Sequence, residues 1–238
     1  MAGARTLARM RVLDEVHGPT PDSVVDAHVA LPAELPQDRA FVRLGMISSV
    51  DGASAVAGLS GGLANQDDRA VFLALRASAD VVLVGLGTAV AERYRAPTSP
   101  LRLYVVADAP DLEGNEDLFA SDAVTLLLPD DAPDPPGDVR VQRAGADGVV
   151  DLDAVVRSLA GRVVVLEGGP SLAGIMLAQG LVEEFFVTLS PRVVAGESSR
   201  VAHGPEADDG PWALEHGFVD DDGYLFLRYG HTRRLTQG

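Results

Sequence analysis

The apolar residues of this chain gather into short, β-branched runs separated by stretches that repeat every three to four positions. Phe41 to Val50 is the first run, and its composition predicts a strand ending at Asp51 and Gly52. A glycine-rich loop follows through Leu63. Asn65 then occupies an N-cap position with Asp68 three residues later, the spacing of a capping box, and Val71, Phe72, Leu75 and Ala79 supply a helical face. Val81–Val84, Leu101–Val106 and Val124–Leu128 read as further strands. Asp151 caps a second helix whose core stripe is Leu152, Val155, Val156 and Leu159. Phe185–Leu189 and Tyr224–Tyr229 close the chain as strands, with Pro191 to Asp209 between them as loop.

One segment carries more than pattern. Val163, Val164, Val165 and Leu166 form an unbroken apolar run, as in a strand buried on both faces, and Glu167 emerges at its carboxyl end. Gly168 and Gly169 remove two Cβ atoms where the chain turns into a helix carried by Leu172, Ile175 and Met176 and stopped by Gly180. Such a corner exposes main-chain N–H groups at a helix N-terminus, a setting that favours phosphate. Gly85 and Gly87 repeat the arrangement after Val81–Val84. Each corner taken alone also fits an ordinary strand-to-helix turn. Together the elements predict an α/β domain: a mixed, mostly parallel sheet flanked by helices, antiparallel at its C-terminal edge, with ligands at the strands' carboxyl ends.

Composition narrows the classes. A chain of 238 residues suits one domain, here residues 41–238, with residues 1–40 read as an arm laid over it whose one short apolar segment is Arg11 to Leu13. The absence of cysteine removes thiol chemistry, thiolate metal sites and disulfides. Nineteen basic against 35 acidic residues give a net charge of −16, which disfavours nucleic acid and anionic membranes and requires a local cation for any anionic ligand. No apolar stretch approaches the roughly 20 residues of a membrane span, so the expected setting is cytoplasmic. His17, His28, His203, His216 and His231 show no metal-ligand spacing, and no metal site is expected.

Ser49-Val50-Asp51-Gly52, the stretch from Asp68-Arg69 through Leu75-Arg76-Ala77 to Val84-Gly85-Leu86-Gly87-Thr88, and Glu167-Gly168-Gly169 occur in an order that resembles the pyrimidine reductase family. This is the reductase domain of riboflavin biosynthesis, with a dihydrofolate-reductase-like fold. The resemblance runs over roughly residues 41 to 230 and extends through Gly180 to Glu184 and Ser190-Pro191-Arg192. It implies NADPH as cofactor, contacted by Thr88, Glu92 and the main chain of Ile47, with Gly169, Pro170, Ser171 and Leu172 holding the pyrophosphate. It implies a ribosylamino-pyrimidine phosphate as substrate, held by Ser60, Arg76 and Glu167, with Arg76 on the phosphate. The implied enzyme resembles 5-amino-6-(5-phosphoribosylamino)uracil reductase, stands apart from any zinc deaminase, and forms a homodimer through the region Phe185 to Val194.

Asp51 is the candidate to orient the substrate or assist protonation, and equally a turn residue before Gly52. Arg76 also reads as a solvated helix end, Glu92 as a helix-face charge and Glu167 as an acceptor for nearby amides. The chain departs from the family at Ala53, where a cation is frequent, and at Gly62, where an aromatic is frequent. The loop after Glu92 lacks the usual Asp-Pro and Arg, with Arg93 or Arg95 as substitutes. No cation follows Val106 to meet a 2′-phosphate, which leaves NADH open as cofactor. Dihydrofolate reduction and nucleotide binding without turnover are the competing functions.

Overall fold

A computed structural model describes the backbone of Asp14–Glu15 and residues 22–98, 100–207 and 210–232. Arg11 to Leu13, His17 and Asp209 lie outside the described residues. In chain order the elements begin with β1 (Asp14–Glu15), α1 (Asp22–Val29) and β2 (Phe41–Ser49). A 3-10 turn at Ser60–Gly62 leads to α2 (Gln66–Ala77), β3 (Val81–Gly85), α3 (Leu86–Ala91) and β4 (Arg102–Val106). Next come α4 (Glu116–Phe119), β5 (Val124–Leu128) and β6 (Val141–Arg143), then the hairpin β7 (Gly145–Ala146) and β8 (Val149–Val150). The chain continues with α5 (Leu152–Ser158), β9 (Val163–Leu166), α6 (Pro170–Ala178), β10 (Glu184–Ser190), β11 (Trp212–Val219) and β12 (Leu225–His231).

Ten strands form one sheet in the order β1-β11-β12-β10-β2-β9-β3-β4-β5-β6. Only the pairs β10–β12 and β11–β12 are antiparallel, so the sheet is mixed and mostly parallel, flanked by helices. Val164 and Leu166 face the core made with α5 and α6, through Val155, Leu172 and Met176. Val165 faces the opposite core, made with Val25 of α1 and Val71 and Leu75 of α2. Burial on both faces is why β9 reads as an unbroken apolar run. Farther along the sheet Val82, Val84 and Leu103 pack under Ala89 of α3 and Phe119 of α4.

Two caps behave as their residues predict. Asp151 accepts a bond from the amide of Ala154, and α6 ends in paired bonds from Gly180 N to Leu177 O and Leu181 N to Met176 O, with Gly180 at φ +65°. Other expectations need correction. The helix after Asn65 stops at Ala77, leaving Ala79 beyond it. Helix α1 and strand β11 were not legible, because α1 buries His28 beside Val25 and Val29, and β11 carries Glu215 and His216 around a register shift that breaks its alternation. β10 is an interior strand between β2 and β12, so Phe185 to Leu189 offers no free edge for pairing with a second copy.

Candidate active site

Chain direction positions the site. After β3 the chain runs outward to β4, whereas after β9 it crosses through α6 to β10 on the other side of β2. The sheet therefore reverses its winding between β3 and β9, and open α/β sheets bind ligands at such a point, outside the strands' carboxyl ends. Gly85 N there donates to Gly168 O at 2.8 Å, which joins the two glycine corners. A Cβ on Gly169 would collide with Thr88 Oγ1, while a Cβ on Gly87 would meet nothing within 4 Å. Gly169 thus permits close packing of the corners, and Gly87 leaves room beside them.

A cleft of about 910 Å³ opens at this point, and Gly87, Thr88, Glu92, Gly169, Pro170, Ser60, Arg76, Glu167 and Ile47 are among the residues that line it. Gly85 and Gly168 lie just behind the wall. Leu172 is a buried core residue, and Ser171 is exposed with its hydroxyl 3.1 Å from His203 Nε2. Their main-chain N–H groups belong to the first turn of α6, which has no carbonyl within the helix to bond. The Glu92 carboxylate accepts the backbone N–H of Ser60 at 2.8 Å, so these two candidates meet directly.

At the centre Arg76 and Glu167 form a bidentate pair, Nε to Oε1 at 2.7 Å and Nη2 to Oε2 at 2.6 Å. The Tyr94 hydroxyl donates to Glu167 Oε2 at 2.6 Å. The guanidinium lies 4.5 Å from the Phe72 ring centroid and 5.2 Å from that of Tyr94. Burial opposes the charge of Arg76, and Glu167 more than offsets it, raising the Arg76 pKa; burial and Glu167 also push the Tyr94 hydroxyl upward. Arg76 thus spends Nε and one Nη2 hydrogen on a carboxylate, and its remaining N–H donors are not used by that pair. Arg69, Arg93 and Arg95 also line the cleft.

Asp51 is not brought to the cleft wall. Its exposed carboxylate accepts the Ser49 hydroxyl at 2.5 Å and the backbone N–H groups of Val194 and Ala195 at 3.1 and 2.7 Å, bonds that lower its pKa to about 2. It clasps the loop whose residues Val194, Ala195, Ser198 and Ser199 form the cleft's far wall. Ala53 is buried, with its N–H on the Ser49 hydroxyl, and a Cβ on Gly62 would crowd Val56. Tyr94, Phe72, Asp68 and Thr188 were missed as cleft residues, although Asp68 and Phe72 share the helix face that ends in Arg76. Among the described residues, no cluster of three or more His, Cys, Asp or Glu is arranged to hold a metal ion.

Fold and cleft together define an α/β protein of the dihydrofolate-reductase-like class. Dihydrofolate reductase from Enterococcus faecalis shares the fold at 15% identity, covering 80% of this chain and 95% of that one with a TM-score of 0.51. A pyrimidine reductase-like protein from Corynebacterium diphtheriae does so at 20% identity, 87% and 98% coverage and a TM-score of 0.70. The model of the RibD C-terminal domain matches residues 40–226, and the chain belongs to that family. It is 30% identical over 192 residues to the 2,5-diamino-6-ribosylamino-4(3H)-pyrimidinone 5′-phosphate reductase of Methanothermobacter thermautotrophicus, covering 72% of this chain and 87% of that protein. It is 29% identical over 166 residues to the riboflavin biosynthesis protein RibD of Mycobacterium tuberculosis, covering 65% of this chain and 43% of that protein. The chain thus spans less than half the length of the Mycobacterium tuberculosis RibD protein it matches.

Proposed function

We propose that the protein is an NADPH-dependent reductase of the riboflavin-biosynthesis type, acting on a ribosylamino-pyrimidine phosphate. The observation that carries this reading is the meeting of two glycine corners at the sheet's switch point, with Glu167 of the Arg76–Glu167–Tyr94 cluster next in the chain to Gly168. The open face at Gly87, where a side chain would take up cleft space, fits a flat or extended ligand laid along the corner. Thr88, Glu92, Gly169 and Pro170 would line its path, with the first-turn N–H groups of α6 toward the pyrophosphate. A reduced nicotinamide supplies hydride when bound.

In that reaction the substrate's ribosylamine would open to an imine, whose C1′ would take the hydride while its nitrogen takes a proton from water as the C=N double bond becomes single. The chain's contribution is orientation: donor and acceptor carbons held about 3–3.5 Å apart lower the barrier by several kcal/mol. The neutral Arg76–Glu167 pair gives that region a fixed polar floor. Arg69, Arg93 and Arg95, which line the same cleft, are further cations for the phosphates beside Arg76. Asp51 acts by holding the far wall. A homodimer, carried over from the family, packs through a face rather than by adding strands to β10, and light scattering measures it.

The test follows loss of reduced-nicotinamide absorbance with the ribosylamino-pyrimidine phosphate, with dihydrofolate as the competing substrate and NADH as the competing cofactor. Turnover with the pyrimidine and NADPH is expected. Cofactor binding without turnover of any pyrimidine or pterin would overturn the reading.

A further inference from the structure

His203 has no part in the chemistry above, yet it touches helix α6 at three places. It lies in the connection from β10 to β11, and its backbone N–H donates to Pro170 O at 3.1 Å. Its Nε2 lies 3.1 Å from the hydroxyl of Ser171, 32 residues earlier in the chain. Its carbonyl sits so close to Gly174 that a Cβ there would collide with it. A glycine inside a helix costs about 1 kcal/mol relative to alanine, and at Gly174 that loss admits His203 to the helix surface. A single residue thus grips the start of α6 at Pro170, Ser171 and Gly174.

What this grip holds is a pair of donors. Pro170 has no N–H, and the Ala173 N–H bonds Gly169 O, so Ser171 and Leu172 carry the free N–H groups of the first turn. Gly169 at the N-cap has no side chain to engage them. The Ser171 hydroxyl has one proton to give. Donated to His203, that proton is lost to a ligand; with His203 Nε2–H donating to Ser171 Oγ, it stays free. An ionised phosphate beside the turn selects the second arrangement, because it accepts hydrogen bonds and donates none. Helix α6 carries no charged side chain, and the charged groups beside His203 are Arg200 and Glu206, which line with it a separate cavity of about 420 Å³.

We propose that His203 is a positioning residue for the pyrophosphate of a bound dinucleotide, donating Nε2–H to Ser171 so that the serine hydroxyl donates to a phosphate oxygen. This rests on the reductase reading for the choice of ligand. The contacts at Pro170 and Gly174 fix the turn, so the Ser171 and Leu172 N–H groups and the serine hydroxyl meet the same anion without reorganising. Hydrogen bonds to an ionised acceptor are about twice as strong as neutral ones, which makes the direction of the serine proton matter.

The probe is NADPH, titrated by calorimetry into the wild-type protein, His203→Ala, His203→Gln, Ser171→Ala and the double alanine variant, with turnover of the ribosylamino-pyrimidine phosphate and the urea midpoint measured alongside. His203→Ala should weaken NADPH about tenfold and raise its KM, while kcat at saturating cofactor stays within about twofold. His203→Gln, whose amide N–H can donate to Ser171, should restore most of the affinity. In the Ser171→Ala background, His203→Ala should cost less than it does alone, since the hydroxyl it served is gone. Equal NADPH affinity in wild type and His203→Ala, additive losses in the double variant, or no recovery in His203→Gln overturns the proposal. So does a fall in kcat and urea midpoint together with affinity, the pattern of a merely structural residue. Affinity that depends on His203 without turnover of any pyrimidine sinks the reductase reading and leaves His203 in its role. Turnover with an unchanged KM for NADPH in His203→Ala does the reverse.

Discussion

Glu167 accepts three bonds from two side chains, and its removal would strand both. Glu167→Gln leaves the Arg76 guanidinium between two aromatic rings without a counter-charge, and breaking one side of a largely buried pair costs about 3 kcal/mol or more. A lowered urea midpoint measures it; an unchanged midpoint would show that water already carries the pair. Gly169→Ala brings a methyl against Thr88 Oγ1 and should cost about 1 kcal/mol or more, and the double change Gly169→Ala with Thr88→Ala should recover most of that loss. Independent, additive losses would contradict the contact. For Asp51, a folded pKa of about 2 against the ordinary 3.8 means that its clasp is complete above 3.8 and is lost as pH falls through about 2. Asp51→Ala should increase amide exchange at Val194 and Ala195, and protection equal to wild type would remove Asp51 from the wall.

Helix α1 is fastened through histidine. His28 Nδ1 lies 3.0 Å from His216 Nδ1, and its ring meets Phe186 and Phe218 edge-on. Burial lowers the His28 pKa from 6.5 to about 3, assisted by His216, Arg228 and Arg43. A depressed histidine pKa means that the unfolded chain binds the proton first, so its contribution is complete above 6.5 and is lost as pH falls toward about 3. Denaturant unfolding across that window should show stability rising with pH, and His28→Leu should flatten the slope. The same helix shows where the sequence is silent. β3 and β9 announce themselves because their buried positions are apolar, whereas α1 buries a histidine. In the cleft, glycine spacing marked both corners in advance. The pairing of Arg76 with Glu167 joins residues 91 apart, which helical and strand periods do not encode.

Across the whole molecule, acidity and site chemistry are kept apart. Net charge is −16, yet four arginines line the cleft, and all 19 basic residues of the chain are arginine. Arginine keeps its charge throughout the working pH range and forks onto phosphate, so the site's attraction for anions is insensitive to moderate alkali. Cofactor affinity measured at increasing pH should therefore hold steady through the range in which lysine amines would lose their protons, near 10.4 for the ordinary group. A steep loss there would place the anion contacts elsewhere. The position of β2 also has a consequence in time. Its two neighbours, β9 and β10, are made more than a hundred residues after it. At synthesis rates of about 5–20 residues per second, both edges of this strand wait on the order of ten seconds for their partners. During that interval the nascent chain has no cleft, which takes shape only once β9 and β10 have been made and have closed on β2.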